Sequence, residues 1–209
     1  MLTLPRYVTH RHYHAAKLCR RVNLEKSKVL IEKKNHTTFV AIEGTCTPAH
    51  WLDNLTVYKR EDAHAGFDRH CEDCIDQFDL AKLFSSGEQL IVTGHSLGAA
   101  TAILLTQKIR MDNVREFVMF GCPRVGGELL RERILKAPLP KVYAYRHKHD
   151  AVSFMPPSCL GYVSMLDDFV IELPTTCDIG DPWIKDHDMD SYVSTLQLAC
   201  DQNFLPWLR

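Results

Sequence analysis

The stretch Ile91-Val92-Thr93-Gly94-His95-Ser96-Leu97-Gly98-Ala99-Ala100 decides how this chain is read. A mostly apolar run over residues 89–93 has the composition of a strand, and a helical pattern follows over residues 99–111. Between them lies Gly-His-Ser-Leu-Gly, and G-x-S-x-G between a strand and a helix is the setting of a nucleophile elbow. Turning from strand to helix at one residue forces Ser96 into a sparsely populated backbone region. Gly94 and Gly98 stand where side chains would meet the neighbouring strand and helix. Such a turn presents the Ser96 hydroxyl at a helix N-terminus, where the first backbone N–H groups lack intrahelical partners. The pentapeptide alone also arises by chance. Enzymes built on such an elbow carry an acid and a histidine further along, in the order Ser, Asp or Glu, His.

Upstream, residues 10–22 read as a short helix, with Ala15, Leu18, Cys19 and Val22 at helical spacing. His10, His12 and His14 fall at i, i+2 and i+4, which does not gather three ligands on one helix face, so a solvated polar face is expected. Residues 28–32 and 37–42 form a strand hairpin. Trp51, Leu52 and Leu55 give a helical turn or two an apolar side; with Val57 and Tyr58 they form either a small flap over Ser96 or part of the core. Residues 61–65 read as an exposed loop and 67–84 as a helix. Downstream, strands are expected at 115–120, 141–145 and 169–173, and helices at 129–135 and 192–199. Strands alternating with helices imply an α/β fold with a mostly parallel central sheet flanked by helices. Functional residues of such sheets gather beyond the C-terminal strand ends. Gly44-Thr45, Gly94 onward and Asp150 all lie there.

Acyl transfer needs a nucleophile, a base, an orienter for the base and donors for the developing oxyanion. Ser96 is the candidate nucleophile. Asp150 is the preferred acid because it follows a strand end, whereas Asp167 and Asp168 open a strand. His187 is the preferred base: as the last histidine of the chain it completes the order Ser96, Asp150, His187, which His147 and His149 would break. His95 is expected to point away from a pocket that Ser96 faces. The backbone N–H groups of Leu97 and Thr45 are the candidate oxyanion donors.

The chain has 209 residues, a formal net charge of −1 and 45% hydrophobic residues. That length suits one domain spanning residues 1–209. The near-neutral charge gives no general attraction to nucleic acid, and no apolar run approaches the ~20 residues of a membrane-spanning helix. The N-terminus lacks a secretory h-region. The eight cysteines are Cys19, Cys46, Cys71, Cys74, Cys122, Cys159, Cys177 and Cys200, several of them in apolar patterns. Both features lead to an expectation of free thiols and a cytoplasmic location. Cys71 and Cys74 form a lone CxxC without a second ligand pair, which argues against a zinc or redox site.

Six segments in order resemble the class 3 lipases, the fungal-lipase-like branch of the α/β-hydrolases. They are Gly44-Thr45 followed by Trp51-Leu52 and Asn54-Leu55, then His64-Ala65-Gly66-Phe67, the elbow, Gly121-Cys122-Pro123-Arg124-Val125-Gly126, Asp150-Ala151-Val152 with Met155-Pro156-Pro157, and His187 with Met189 and Tyr192. Glu43 replaces the arginine usual before Gly-Thr, and residues 161–164 lack the histidine often found there. The resemblance implies a small α/β-hydrolase with a short lid region that cleaves carboxylic esters of lipid-like substrates, acylglycerols or phospholipids. It implies Ser96, Asp150 and His187 as the triad and Thr45 with Leu97 as the oxyanion hole. No cofactor or metal is implied, and a transient contact with a lipid surface is. A lipase-like binding or signalling protein and an acyltransferase using the same triad stay open at this point.

Overall fold

The computed structural model describes residues 8–44, 58–84, 86–175 and 185–204. Strands β1 (Val29–Lys34) and β2 (Thr37–Ile42) pair antiparallel around a turn at Asn35 and His36, both at positive φ. After the short β3 (Lys59–Arg60) and β4 (Ala63–His64), strands β5 (Leu90–His95), β6 (Val114–Phe120), β7 (Lys141–His147) and β8 (Val170–Leu173) extend the sheet in parallel. The six-stranded order is β1-β2-β5-β6-β7-β8. β5 is buried at every residue and β6 at six of seven, as strands covered on both faces must be.

The period-two alternation of the strands splits the core in two. Val40, Ile42, Leu90, Val92, Phe117 and Met119 face one side. There they meet helices α2 (Ala65–Phe78), α3 (Leu80–Phe84), α4 (Leu97–Lys108) and α5 (Glu128–Lys136). Phe39, Ala41, Ile91, Val118, Phe120 and Tyr145 face the other, under α1 (His10–Glu25) and α6 (Met189–Phe204). Residues 98–105 of α4 are all buried, so the helix that follows Ser96 is wedged into the core and cannot drift. Among the described residues, no helix is long and apolar enough to cross a membrane.

Four expectations change. Residues 61–65 are not an exposed loop: Glu61 and Asp62, at φ 50 and 69, turn the β3–β4 hairpin, and Ala63 and His64 are buried. The helix expected over 67–84 is broken by Asp79, which adopts a left-handed conformation at φ 45. The last helix runs well past 192–199, from Met189 to Phe204. Of the α1 histidines, His10 is exposed as expected, but His12 and His14 are not part of a solvated face. His12 is buried and shares a 2.6 Å hydrogen bond with the Tyr145 hydroxyl, and His14 meets Glu32 at 3.0 Å. The period that buries Ala15, Cys19 and Val22 carries His12 inward too, and the sheet offers it a polar partner.

His12 is held neutral, its pKa lowered to about 4 by burial first and then by Arg11 and Lys141, with Glu116 on its far side. His95 is lowered to about 3, again chiefly by burial. An unfolded chain protonates both rings near pH 6.5 and the folded chain does not, so stability is full above that pH and falls as pH drops from 6.5 toward 4. Each ring costs about 1.4 kcal/mol per pH unit in that window. Denaturant titrations at pH 7.5 and pH 5 should therefore differ by several kcal/mol, and a His12→Gln variant should show a shallower slope. His70 is lowered to about 4 by burial as well, so a flat stability profile over that window would show that these buried histidines accept protons in the folded protein.

Candidate active site

The site begins with backbone contacts that allow only glycine. A Cβ on Gly94 would strike the Gly98 backbone, and a Cβ on Gly98 would strike the Ile42 carbonyl. With strand and helix this close, Ser96 alone makes the turn, at φ 55 and ψ −119. Its N–H donates to the Phe120 carbonyl at 3.0 Å, which pins the elbow to the neighbouring strand. The helical ladder starts with Ala99 and Ala100 donating to the Ser96 carbonyl, so the Leu97 N–H precedes it. Ser96 is 1% exposed, and its Oγ has no hydrogen-bond partner.

Asp150 stands just beyond β7 and is wholly buried. Its carboxylate closes a short 3-10 turn over Ala151–Phe154, accepting from the N–H groups of Val152 at 3.0 Å and Ser153 at 3.4 Å. His187 Nδ1 lies 2.9 Å from each carboxylate oxygen, and the Tyr192 hydroxyl donates to Oδ2 at 2.6 Å. Burial pushes the Asp150 pKa up, but the His187 charge and the hydrogen bonds from His187 and Tyr192 outweigh it, leaving the carboxyl below its ordinary value. Burial, and the Asp150 charge beside it, push the Tyr192 hydroxyl well above the usual phenol range, so it stays a donor. A carboxylate on Nδ1 places a proton there and leaves Nε2 as the acceptor. That Nε2 is buried and unpartnered, like Ser96 Oγ. A serine, a histidine with a free acceptor and a buried carboxylate thus stand at one sheet edge, a set able to activate a hydroxyl.

The alternatives lie elsewhere. Asp167 and Asp168 pair at the surface with Arg146 (3.7 Å) and Arg131 (3.2 Å). The His147 ring is hydrogen-bonded to the Pro174 carbonyl, and His149 is exposed. Thr45, Trp51, Leu52, Leu55, Cys46 and Cys177 lie outside the described residues. The other six cysteines are free thiols. Burial pushes Cys71 up to about 12 and Cys74 to about 11, the state of inert packing thiols. Among the described residues no histidine, cysteine or carboxylate cluster could hold a metal ion.

Sequence reading assigned no role to three groups that build the site. Tyr192 was visible only as part of a motif. Asn23 accepts from the Gly44 N–H at 2.7 Å, steadying the backbone just before Thr45, and nothing in the sequence flags it. Gly121, at φ +53, lies under the acid–histidine pair: a Cβ there would fall 2.6 Å from Asp150 Oδ2 and 2.9 Å from His187 Nδ1.

Residues 39–159 match the family described as Lipase (class 3). The chain belongs to the class 3 lipase family. Phospholipase A1-IIdelta of Arabidopsis thaliana is 32% identical over 98 residues, covering 44% of this chain and 24% of that protein. The secreted mono- and diacylglycerol lipase MDL2 of Malassezia globosa is 32% identical over 104 residues, 46% of this chain and 34% of the relative. A lipase from Rhizopus microsporus var. chinensis superposes with a TM-score of 0.60 at 20% identity, over 87% of this chain and 84% of that one, and shares the α/β-hydrolase fold. Matches to the curated relatives span only 24% to 57% of their lengths. These relatives overturn the expected cytoplasmic location: the Malassezia lipase is a secreted protein by name, as are matching lipases of Fusarium solani and Penicillium.

A Gly121→Ala variant tests the geometry. Its methyl group would push the carboxylate from the imidazole at a φ unfavourable to alanine. The expected cost is about 1–3 kcal/mol in a denaturant titration, with loss or shift of the downfield His187 Nδ1–H proton resonance. An unchanged resonance would show that the pair does not depend on this close approach.

Proposed function

We propose that the chain is a serine hydrolase that cleaves acyl esters of lipid-like substrates through a Ser96 acyl-enzyme, with residues 1–209 acting as one catalytic domain. The observation that carries this reading is the pair of buried, unpartnered atoms at one sheet edge. These are Ser96 Oγ on a positive-φ elbow and the Nε2 of a histidine whose Nδ1 is held by a buried carboxylate. Membership of the class 3 lipases and the activities in the relatives' names support it.

In this mechanism His187 Nε2 takes the Ser96 proton as Oγ attacks the ester carbonyl carbon. The Leu97 N–H, with a second donor read from the sequence at Thr45, holds the oxyanion; one such donor is worth about 3 kcal/mol. His187 returns the proton to the departing alcohol. It then takes a proton from water as the water oxygen attacks the acyl carbon, and gives that proton to Ser96 Oγ as the acyl–Oγ bond breaks and the carboxylic acid leaves. Asp150 remains ionised throughout and keeps the imidazole in the tautomer that leaves Nε2 free. Substrates are acylglycerols or phospholipid acyl esters, after the mono- and diacylglycerol lipase and phospholipase A1 relatives. The secreted relatives support placing this activity outside the cytoplasm.

Hydrolysis of p-nitrophenyl butyrate by the native chain and by Ser96→Ala provides the test. The variant should lose at least about 10³-fold in kcat/KM, and a fluorophosphonate label on the native chain should map to Ser96. Equal rates, or labelling of another residue in active protein, would overturn the assignment. Product analysis on diacylglycerol and phosphatidylcholine then separates the two lipid classes.

A further inference from the structure

His95 lies beside the nucleophile and yet turns from it. It ends β5, is buried, and its Nε2 lies 2.7 Å from the backbone carbonyl of His187, 92 residues further on. A carbonyl only accepts, so Nε2 must carry the proton, and Nδ1, which has no partner, is the bare nitrogen. The ring also packs against the His187 imidazole, centroids 4.5 Å apart at 34°, and meets the edge of the Tyr192 ring at 5.9 Å.

We propose that His95 is a positioning residue, whose Nε2–H holds the His187 carbonyl and whose ring supports the His187 imidazole, so that the base keeps a fixed station relative to Ser96. The loop that carries the base needs such a hold. His187 sits in a turn before α6, outside regular hydrogen bonding. Its neighbour Asp186 is tied by the His149 N–H at 3.2 Å and the Thr175 hydroxyl at 3.1 Å. Those bonds fix the start of the turn, and Asp150 holds the Nδ1 edge of the ring. Neither fixes the His187 backbone against the elbow. His95 does so directly, because it is bonded in the chain to Ser96 itself.

The groups that face His95 are His187 and Asp150 with Tyr192 behind them, and burial first, then the His187 charge, lowers its pKa to about 3, so the ring is neutral near pH 7. A neutral ring donates one hydrogen bond in one direction at all working pH values. It also adds no second positive charge beside His187 when that residue takes the serine proton. The inference rests on the proposed Ser96–Asp150–His187 assignment.

Three variants of the full chain separate the possibilities, assayed on p-nitrophenyl butyrate with thermal midpoints measured in parallel. His95→Leu fills the space without a donor. His95→Gln restores an N–H donor at similar reach. Misplacing a catalytic group by about 1 Å can cost about 100-fold. His95→Leu is therefore expected to lose 10- to 100-fold in kcat with KM within about twofold of native. His95→Gln should recover most of that loss. Ser96→Ala is the control for the underlying reading. If Ser96→Ala is inactive while His95→Leu turns over at the native rate, the positioning role is overturned and the triad stands. If Ser96→Ala keeps the native rate, the triad reading itself has failed. Equal losses in the Leu and Gln variants with a matching drop in thermal midpoint make His95 a packing residue only. Should the Leu variant fail to fold, His95→Asn, a donor of shorter reach, replaces it; native kcat in that variant also overturns the proposal.

Discussion

The close approach of Gly98 to the Ile42 carbonyl sets the rest of the structure. Helix α4 can begin one residue after Ser96 only because its first turn lies against the end of β2 with no side chain between them. That contact forces the positive φ of Ser96, a strain of order 1–3 kcal/mol, which the surrounding packing must hold. The packing is sufficient: residues 98–105 are buried on every side of the helix, and the Ser96 N–H is bonded to β6. A helix exposed on one face could relax by sliding along its axis. This one cannot, so the turn stays strained and the hydroxyl stays where the turn puts it.

The second constraint is a charge without water. Asp150 is wholly buried, and a carboxylate so placed is tolerable only if its oxygens are occupied by donors. Four donors reach it: two backbone N–H groups of its own turn, the His187 ring and the Tyr192 hydroxyl. These donors also fix the direction of the imidazole. Satisfying the charge and orienting the imidazole are thus one arrangement. Gly121 enters the same arrangement by lacking a side chain. Its backbone fills the space beneath the pair, which any larger residue would break apart.

Much of this was legible in the sequence because it is local. G-x-S-x-G names its own geometry, Asp150 follows a strand end recognisable by composition, and His187 was singled out as the last histidine of the chain. The hairpin at residues 35–36, the parallel strands and the helix after the elbow were recovered for the same reason. What escaped depends on distant partners. His12 looks like a surface histidine until α1 is laid on the sheet and Tyr145 meets it. Asn23 sits near the end of a helix and touches the site only because Gly44 comes to it in space. His95 was read as pointing away from the pocket, and its partner, a carbonyl 92 residues away, has no local signature. The 61–65 segment misled because polar residues at positive φ make a tight hairpin turn as readily as a loop.

Cysteine content misled about location, and the reason is physical. Thiols are informative about redox surroundings only if a partner lies within disulfide reach, with Cα atoms about 4.4–6.8 Å apart, and the thiol can ionise and be reached. Cys19, Cys71 and Cys74 meet neither of the last two conditions. They are buried, and burial pushes their pKa values up to about 12, 12 and 11. A thiol in that state packs like a small apolar side chain and persists in an oxidising compartment as readily as in a reducing one. The chain's buried cysteines are therefore a property of its core, compatible with its secreted relatives.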